Sequence, residues 1–447
     1  MMFMTQIKRL VGEGTMQHSR RRATAAVAGL LSASLVLTAC GGNDGSSTTE
    51  DGRTVVTISL FGTFGYEEVG LFEQYEKEHP DVSIDYQSTQ GEDKYWPALQ
   101  TKLNSGSGLA DVQGIEVGRI AEVVQNQPDK WADLNETAAG DQVANYPEWK
   151  ADAATTDDGK VVGLGTDIGP MGICYRSDLF KQAGLPTDPS VLANQTGSWQ
   201  DFLALGEKYA ENAPGDSAFI DSAGGLYNAI ISTESKIYYD EEGELVFDSN
   251  DTVSDAFDLA AGAAESDLTA GLEQFLDKSW DKGFSSGSFA SIACPAWMLG
   301  YIKGKAGDGG SGNWNVMPLP GGMGGNWGGS YLGIPEASDN KEEAAELIAW
   351  LTDAEQQQKV FSEIGNFPSN KGAIEKVGSV KDKYFNNAPI GQIFGKSAES
   401  APTQILGPLD NAIKNAMVQA LLSIETADVS PDDAWKKAVE TVESQVG

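Results

Sequence analysis

The sequence has little histidine, cysteine or positive charge. Only two of its 447 residues are histidine, His18 and His79, and only three are cysteine, Cys40, Cys174 and Cys294. A His/Cys zinc site or a histidine-based catalytic triad therefore has almost no raw material, and no metal or other cofactor is expected. Lys and Arg number 31 against 65 Asp and Glu, a formal charge of −34. Such an excess of acid repels phosphate backbones and anionic lipid, which disfavours nucleic-acid binding and requires any membrane attachment to be covalent or by insertion. Most of that charge reads as solubility. The sequence also lacks a GxxxxGK[ST] motif. Its literal GxGxxG, at Gly307, Gly309 and Gly312, precedes Asn313-Trp314-Asn315-Val316, which reads as a strand and not as the helix a phosphate site needs. Asp248-Ser249-Asn250-Asp251 lacks the glycine and the closing glutamate of a calcium loop, and reads as a turn capping the helix from Thr252. What remains is 40% hydrophobic residues and ten tryptophans. That is enough for folded cores, in a chain long enough for two or more domains.

The N-terminus stands apart. Lys8, Arg9 and Arg20 to Arg22 form a basic region, followed by an apolar run from Ala23 to Leu37. The run has the length of a signal-peptide core and is short for a permanent membrane span. It ends in Leu37-Thr38-Ala39-Cys40 and Gly41-Gly42, which resembles the lipobox of bacterial lipoproteins, whose cysteine is acylated. Residues 1–39 are thus expected to be a signal peptide, starting at Met1 or Met16, and 40–53 a lipidated Cys40 with a flexible tether. The mature part would hold 26 basic and 64 acidic residues, −38. Cys174 and Cys294 would then be the remaining thiols of an exported chain, either paired as a disulfide or buried as free thiols.

Beyond the tether, strands and helices alternate. Thr54 to Phe61, Val82 to Tyr86 and Val112 to Val117 read as strands. Glu67 to His79, Tyr95 to Asn104, Arg119 to Val124, Trp199 to Ala210, Thr252 to Glu265 and Lys341 to Thr352 read as helices, and Ser430-Pro431-Asp432-Asp433 as a helix start. This pattern predicts an α/β fold with βαβ units and a parallel-rich sheet.

The segments Ile58–Glu68 (ISLFGTFGYEE), Leu103–Val123, Gly163–Pro186 (GLGTDIGPMGICYRSDLFKQAGLP), Ser286–Ile302 and Asn326–Thr352 occur in an order that resembles the extracellular solute-binding proteins of ABC sugar importers. The resemblance is to the oligosaccharide-binding type (family 1), nearest to Gram-positive lipoproteins for cello- and xylo-oligosaccharides. It runs from Thr54 almost to Gly447. It implies a two-lobed, periplasmic-binding-protein-like (Venus flytrap) fold with multiple hinge crossings. Gly163 to Pro170 would be the first crossing and Trp327 to Ile334 the return. Lobe 1 would hold 54–167 plus 331–378, and lobe 2 would hold 168–330 plus 379–447. The implied protein is a monomer, lipid-anchored on the outer face of the cell membrane, that passes its ligand to ABC permease subunits.

A neutral sugar offers C–H faces and hydroxyls but no charge, so its site needs flat aromatic surfaces and directed acceptors or donors. The aromatic candidates are Phe61, Phe64, Tyr66, Trp280, Trp297, Trp327 and Tyr331, with Trp327 first because the resemblance puts it on a glycine-rich hinge strand. Trp350 and Trp435 read as core. The polar candidates are Glu116 and Asp167 at strand ends, where open α/β sheets bind ligands, with Asp167 equally open to a role as a cap or turn residue. Gly62, Thr63, Gly328, Ser330 and Asn366 are further candidates in loops. The expected function is non-catalytic capture of β-linked oligosaccharides, xylo-, arabinoxylo- or cello-oligosaccharides, with manno-oligosaccharides as an alternative. A secreted glycoside hydrolase needs only two carboxylates, so composition does not exclude it. A surface adhesin is a third class.

Overall fold

The computed structural model describes residues 48–446. The expected signal peptide, the lipidation of Cys40 and most of the tether lie outside the described residues. Among the described residues the strands are β1 (Thr54–Phe61), β2 (Val82–Thr89), β3 (Val112–Glu116), β4 (Leu164–Gly165), β5 (Asp167–Ile168), β6 (Met171–Arg176), β7 (Ala218–Ile220), β8 (Phe289–Pro295), β9 (Trp314–Pro318), β10 (Ser330–Gly333) and β11 (Phe367–Pro368). They form one sheet in the order β2-β1-β3-β10-β4, a second in the order β7-β8-β6-β9, and the small pair β11-β5.

Side-chain alternation explains how each sheet is covered. In β1, Val56, Ile58 and Leu60 are fully buried. They meet Ala344, Leu347 and Ile348 from the helix Lys341–Leu351 on one face. On the other face Ile115 of β3 meets Trp96, Leu99 and Ile120 from the helices Glu92–Ser105 and Val117–Asn126. In the second sheet, Met171, Ile173 and Tyr175 of β6 enter one core and Cys174 the other, as a period of two requires. The first of these cores is closed by Ile413, Met417 and Leu421 from the helix Asp410–Ala427, and by Ala434 and Ala438 from the last helix, Pro431–Val446. Each fully buried Leu, Ile or Phe in these layers contributes roughly 1.5–3 kcal/mol.

The parallel-rich expectation needs correction. β1 pairs in parallel with β2 and β3, but β10 is antiparallel to β3 and β4, and β6 is antiparallel to β8 and β9. The reason is topological. β10 enters the first sheet from the second and does not follow a βαβ crossover within its own sheet. The helix expected over Glu67 to His79 also begins later, at Leu71, because Gly70 sits in the left-handed region at φ +71° and residues before it form turns. The expected caps occur: the Asn250 side chain accepts from Thr252 N (3.1 Å), and Ser430 Oγ accepts from Asp433 N (3.3 Å).

Two connections between the sheets run side by side. Residues 166–170 lead from β4 through β5 to β6, and residues 319–329 lead from β9 back to β10. They are laced together: Trp327 N donates to the Gly169 carbonyl (2.8 Å), and Gly169 N donates to Asn326 Oδ1 (2.8 Å). A Cβ on residue 169 would lie 1.9 Å from the Trp327 carbonyl oxygen, so only glycine fits there. β11 pairs with β5, so the chain meets this junction a third time at Phe367–Pro368. Phe367 and Val377 already pack in a core of the second sheet. Cys174 and Cys294 form a disulfide between β6 and β8, with their Cα atoms 5.4 Å apart. No helix among the described residues is long and apolar enough to cross a membrane.

Candidate functional site

A cavity of about 280 Å³ opens at the strand ends beside the crossings. One wall comes from the first sheet. Phe61 ends β1, and Phe61 and Phe64 meet edge to face at 5.3 Å across the turn at Gly62-Thr63. Asn366 pins that turn by donating through Nδ2 to the carbonyls of Thr63 (3.0 Å) and Phe64 (3.1 Å), while its buried Oδ1 has no partner. Glu116 ends β3, and its Oε2 accepts from Gly118 N (2.6 Å), capping the helix Val117–Asn126.

The floor is Asp167 on β5. Its Oδ1 accepts from Thr166 Oγ1 (2.7 Å) and Ser330 N (2.9 Å), which fixes the carboxylate across the two connections. Burial pushes its pKa up from 3.8 to about 6, against the pull of nearby Lys150. Lys150, on the short helix Glu148–Asp152, is itself buried and driven down from 10.5 to about 8 by desolvation.

The opposite wall is aromatic. Trp297 and Trp327 cross edge to face at 5.9 Å, and Trp297 Nε1 donates to the Trp327 carbonyl (2.9 Å). Phe275 stands 6.0 Å from Trp297 and 5.7 Å from Tyr301, in a loop whose backbone at Phe275 is left-handed (φ +67°). Asn228, with a buried and unpartnered Oδ1, and the polar face of the helix Asp410–Ala427, including Asn411, Lys414, Asn415 and Gln419, complete the lining. Five acids line the cavity, Glu92, Asp93, Glu116, Asp167 and Glu273, against one cation, Lys414. Crossed indoles beside fixed carboxylates and amides can hold a neutral polyol by its C–H faces and its hydroxyls. Among the described residues no group of three His, Cys, Asp or Glu side chains is placed to hold a metal.

Of the expected site residues, the cavity gathers Phe61, Gly62, Thr63, Phe64, Glu116, Asp167, Trp297, Trp327, Gly328, Ser330 and Asn366. Three lie elsewhere. Tyr66 is buried between Phe64 and Phe72. Trp280 is fully buried on the amphipathic helix Lys278–Ser286, with Nε1 donating to Asp221 Oδ2 (2.8 Å). Tyr331 follows Ser330 on β10, so alternation turns it away from the cavity and into the core. Phe275, Tyr301 and the face of Asp410–Ala427 were not expected. Asn411, Asn415 and Gln419 recur at helical spacing, but a polar helix stripe reads equally as a solvated face.

Two α/β bodies joined by laced crossings, with a lined cavity at the junction, define a two-lobed binding protein of the Venus flytrap fold. The family described as bacterial extracellular solute-binding protein matches residues 70–387, and the chain belongs to that family. It is similar to a crystal structure of an extracellular solute-binding protein of family 1, with 38% identity and a TM-score of 0.74 over 88% of this chain and 100% of that one. It also resembles a lactose-binding protein of Rhizobium radiobacter, 25% identical over 82% of this chain and 86% of the relative. An arabinooligosaccharide-binding protein of Halalkalibacterium halodurans is 22% identical over 90% of this chain and 93% of the relative.

Proposed function

We propose that this chain is a lipid-anchored, monomeric binding protein that captures neutral oligosaccharides of the xylo-, arabinoxylo- or cello- type and delivers them to an ABC importer. The observation that carries the reading is the pairing of the Trp297–Trp327 indoles with the fixed Asp167 carboxylate in one cavity at the crossings. The names of the relatives, one for lactose and one for arabino-oligosaccharides, support a ligand built of neutral sugars. The eleven expected residues on the cavity wall, with Phe275 and Tyr301, are the proposed contacts. The lobes are centred on the two sheets, with the third crossing at Phe367–Pro368. Export would remove residues 1–39, and acylation of Cys40 would hold an acidic protein at an anionic membrane.

A thermal-shift panel over xylo-, cello-, arabino- and manno-oligosaccharides tests the reading. A ligand at a hundredfold excess over its Kd adds roughly 2.7 kcal/mol of stability. A panel in which no sugar raises Tm removes the sugar reading. Shortened products after incubation would replace it with a hydrolase.

A further inference from the structure

We propose that Lys150 is a positioning residue of the sugar cleft: its buried ammonium, packed against Tyr331 and enclosed at Gly165 behind the segments that carry Ser330 and Asp167, sets the electrostatics of the Asp167 carboxylate without touching ligand. The inference rests on reading the cleft as a sugar site. Lys150 is 1% exposed, and its Nζ makes no hydrogen bond. That Nζ sits 3.7 Å from the centre of the Tyr331 ring, whose hydroxyl donates to the Lys150 carbonyl (3.2 Å). A Cβ on residue 165 would come within 2.9 Å of Lys150 Cε, so the stem is enclosed on the crossing side as well. An unpartnered buried ammonium is costly, and its compensation here is an aromatic face and the field of the Asp167 and Glu116 carboxylates.

Those two carboxylates line the cavity and Lys150 does not. Asp167 Oδ1 is occupied by Thr166 and Ser330, and no donor among the described residues reaches Oδ2. An ionised carboxylate accepts at that oxygen, whereas a protonated one turns into a donor and loses acceptor capacity. Desolvation drives Asp167 toward protonation, and Lys150 is the cation that opposes it. The other titratable groups that act on this pair are Glu116, Tyr331 and Tyr66, with Asp410 and Lys414 beyond Glu116. The two tyrosines are pushed far above their usual range by burial, so they stay neutral.

The test is carried out on the whole mature chain. Carbon-13 NMR of carboxyl-labelled aspartate, without ligand, reads the midpoint of Asp167, assigned with Asp167→Asn. Lys150→Met should raise that midpoint by roughly 1–3 pH units, and Lys150→Arg should restore it. Asp410, on which Lys150 does not act, should stay in place as the internal control. Calorimetry with xylotriose should then show Lys150→Met binding about tenfold weaker at pH 7 and recovering toward pH 9, as a midpoint raised by about two pH units dictates. Should Lys150→Met not fold, Lys150→Gln is read in the same way. An unmoved Asp167 midpoint overturns the proposal, as does a loss of affinity that is equal at every pH. Absence of xylotriose binding by the unmodified chain counts against the reading of the cleft, and the Asp167 midpoint then decides the coupling by itself.

Discussion

Replacing Trp327 by alanine tests whether its indole, on the cavity wall, carries a sugar ring. The indole of Trp327 is half-buried and meets Trp297 edge to face at 5.9 Å. The hydrogen bond from Trp297 Nε1 ends on the Trp327 backbone carbonyl, so the substitution leaves it in place. A sugar ring on one half of an indole covers about 60 Å² of apolar surface, or about 1.5 kcal/mol at 25 cal/mol per Å². The stacking geometry adds about 0.5 kcal/mol. Trp327→Ala should therefore weaken binding of the best oligosaccharide in the panel by about 2 kcal/mol, close to thirtyfold in Kd. The ring also packs against the core of the second sheet, so Tm should fall by a few degrees without loss of fold. Isothermal titration calorimetry reads the first effect and calorimetric melting the second. Trp327→Phe should recover part of the affinity. A Kd within twofold of the parent, in a variant with an intact melt, would refute the assignment of Trp327 to the ligand.

Three further expectations follow from the same geometry. Gly169→Ala forces a methyl against the Trp327 carbonyl, so it should part the two connections and abolish binding, with Tm and affinity falling together; a variant with parental affinity would contradict the close approach. Burial raises the carboxyls of Asp167, Asp221 and Asp410 from 3.8 to about 6, 7 and 7. The native state then holds more protons than the unfolded chain between pH 4 and 7. Stability, read as Tm, should therefore rise on acidification from pH 8 to 5, each group adding about 1.4 kcal/mol for every pH unit crossed below its raised pKa. Asp221→Asn should flatten part of that rise, and an unchanged slope would place the effect elsewhere. The cavity lines five acids against Lys414, so a glucuronyl-substituted xylotriose should bind at least about tenfold more weakly than xylotriose, less so in high salt. Equal affinities would mean that the wall acids do not face the sugar.

Much of the lining of the candidate site was legible because strand ends and glycine-rich turns declare themselves locally. Glu116 closes an apolar run, Asp167 precedes Gly169-Pro170, and Trp327 precedes two glycines, and all three line the cavity. Tyr66, Trp280 and Tyr331 carry the same chemistry as true lining residues. What removes them is packing: a neighbouring ring, a partner at Asp221, and one step of alternation on β10. Phe275 was illegible for the converse reason, since its place on the wall depends on a left-handed turn that no residue type in the loop announces.

The amino-acid sequence by itself determined the acidic character, the alternation of strands and helices, and the residue types a neutral polyol requires. These depend on composition and on contacts within a few residues. The direction of β10, the disulfide between Cys174 and Cys294, the lacing of Gly169 to Trp327 and the burial of Lys150 behind Asp167 were decided by tertiary structure. Each joins segments more than a dozen residues apart, or sets the dielectric around a charge. Neither quantity is written in the local order of side chains.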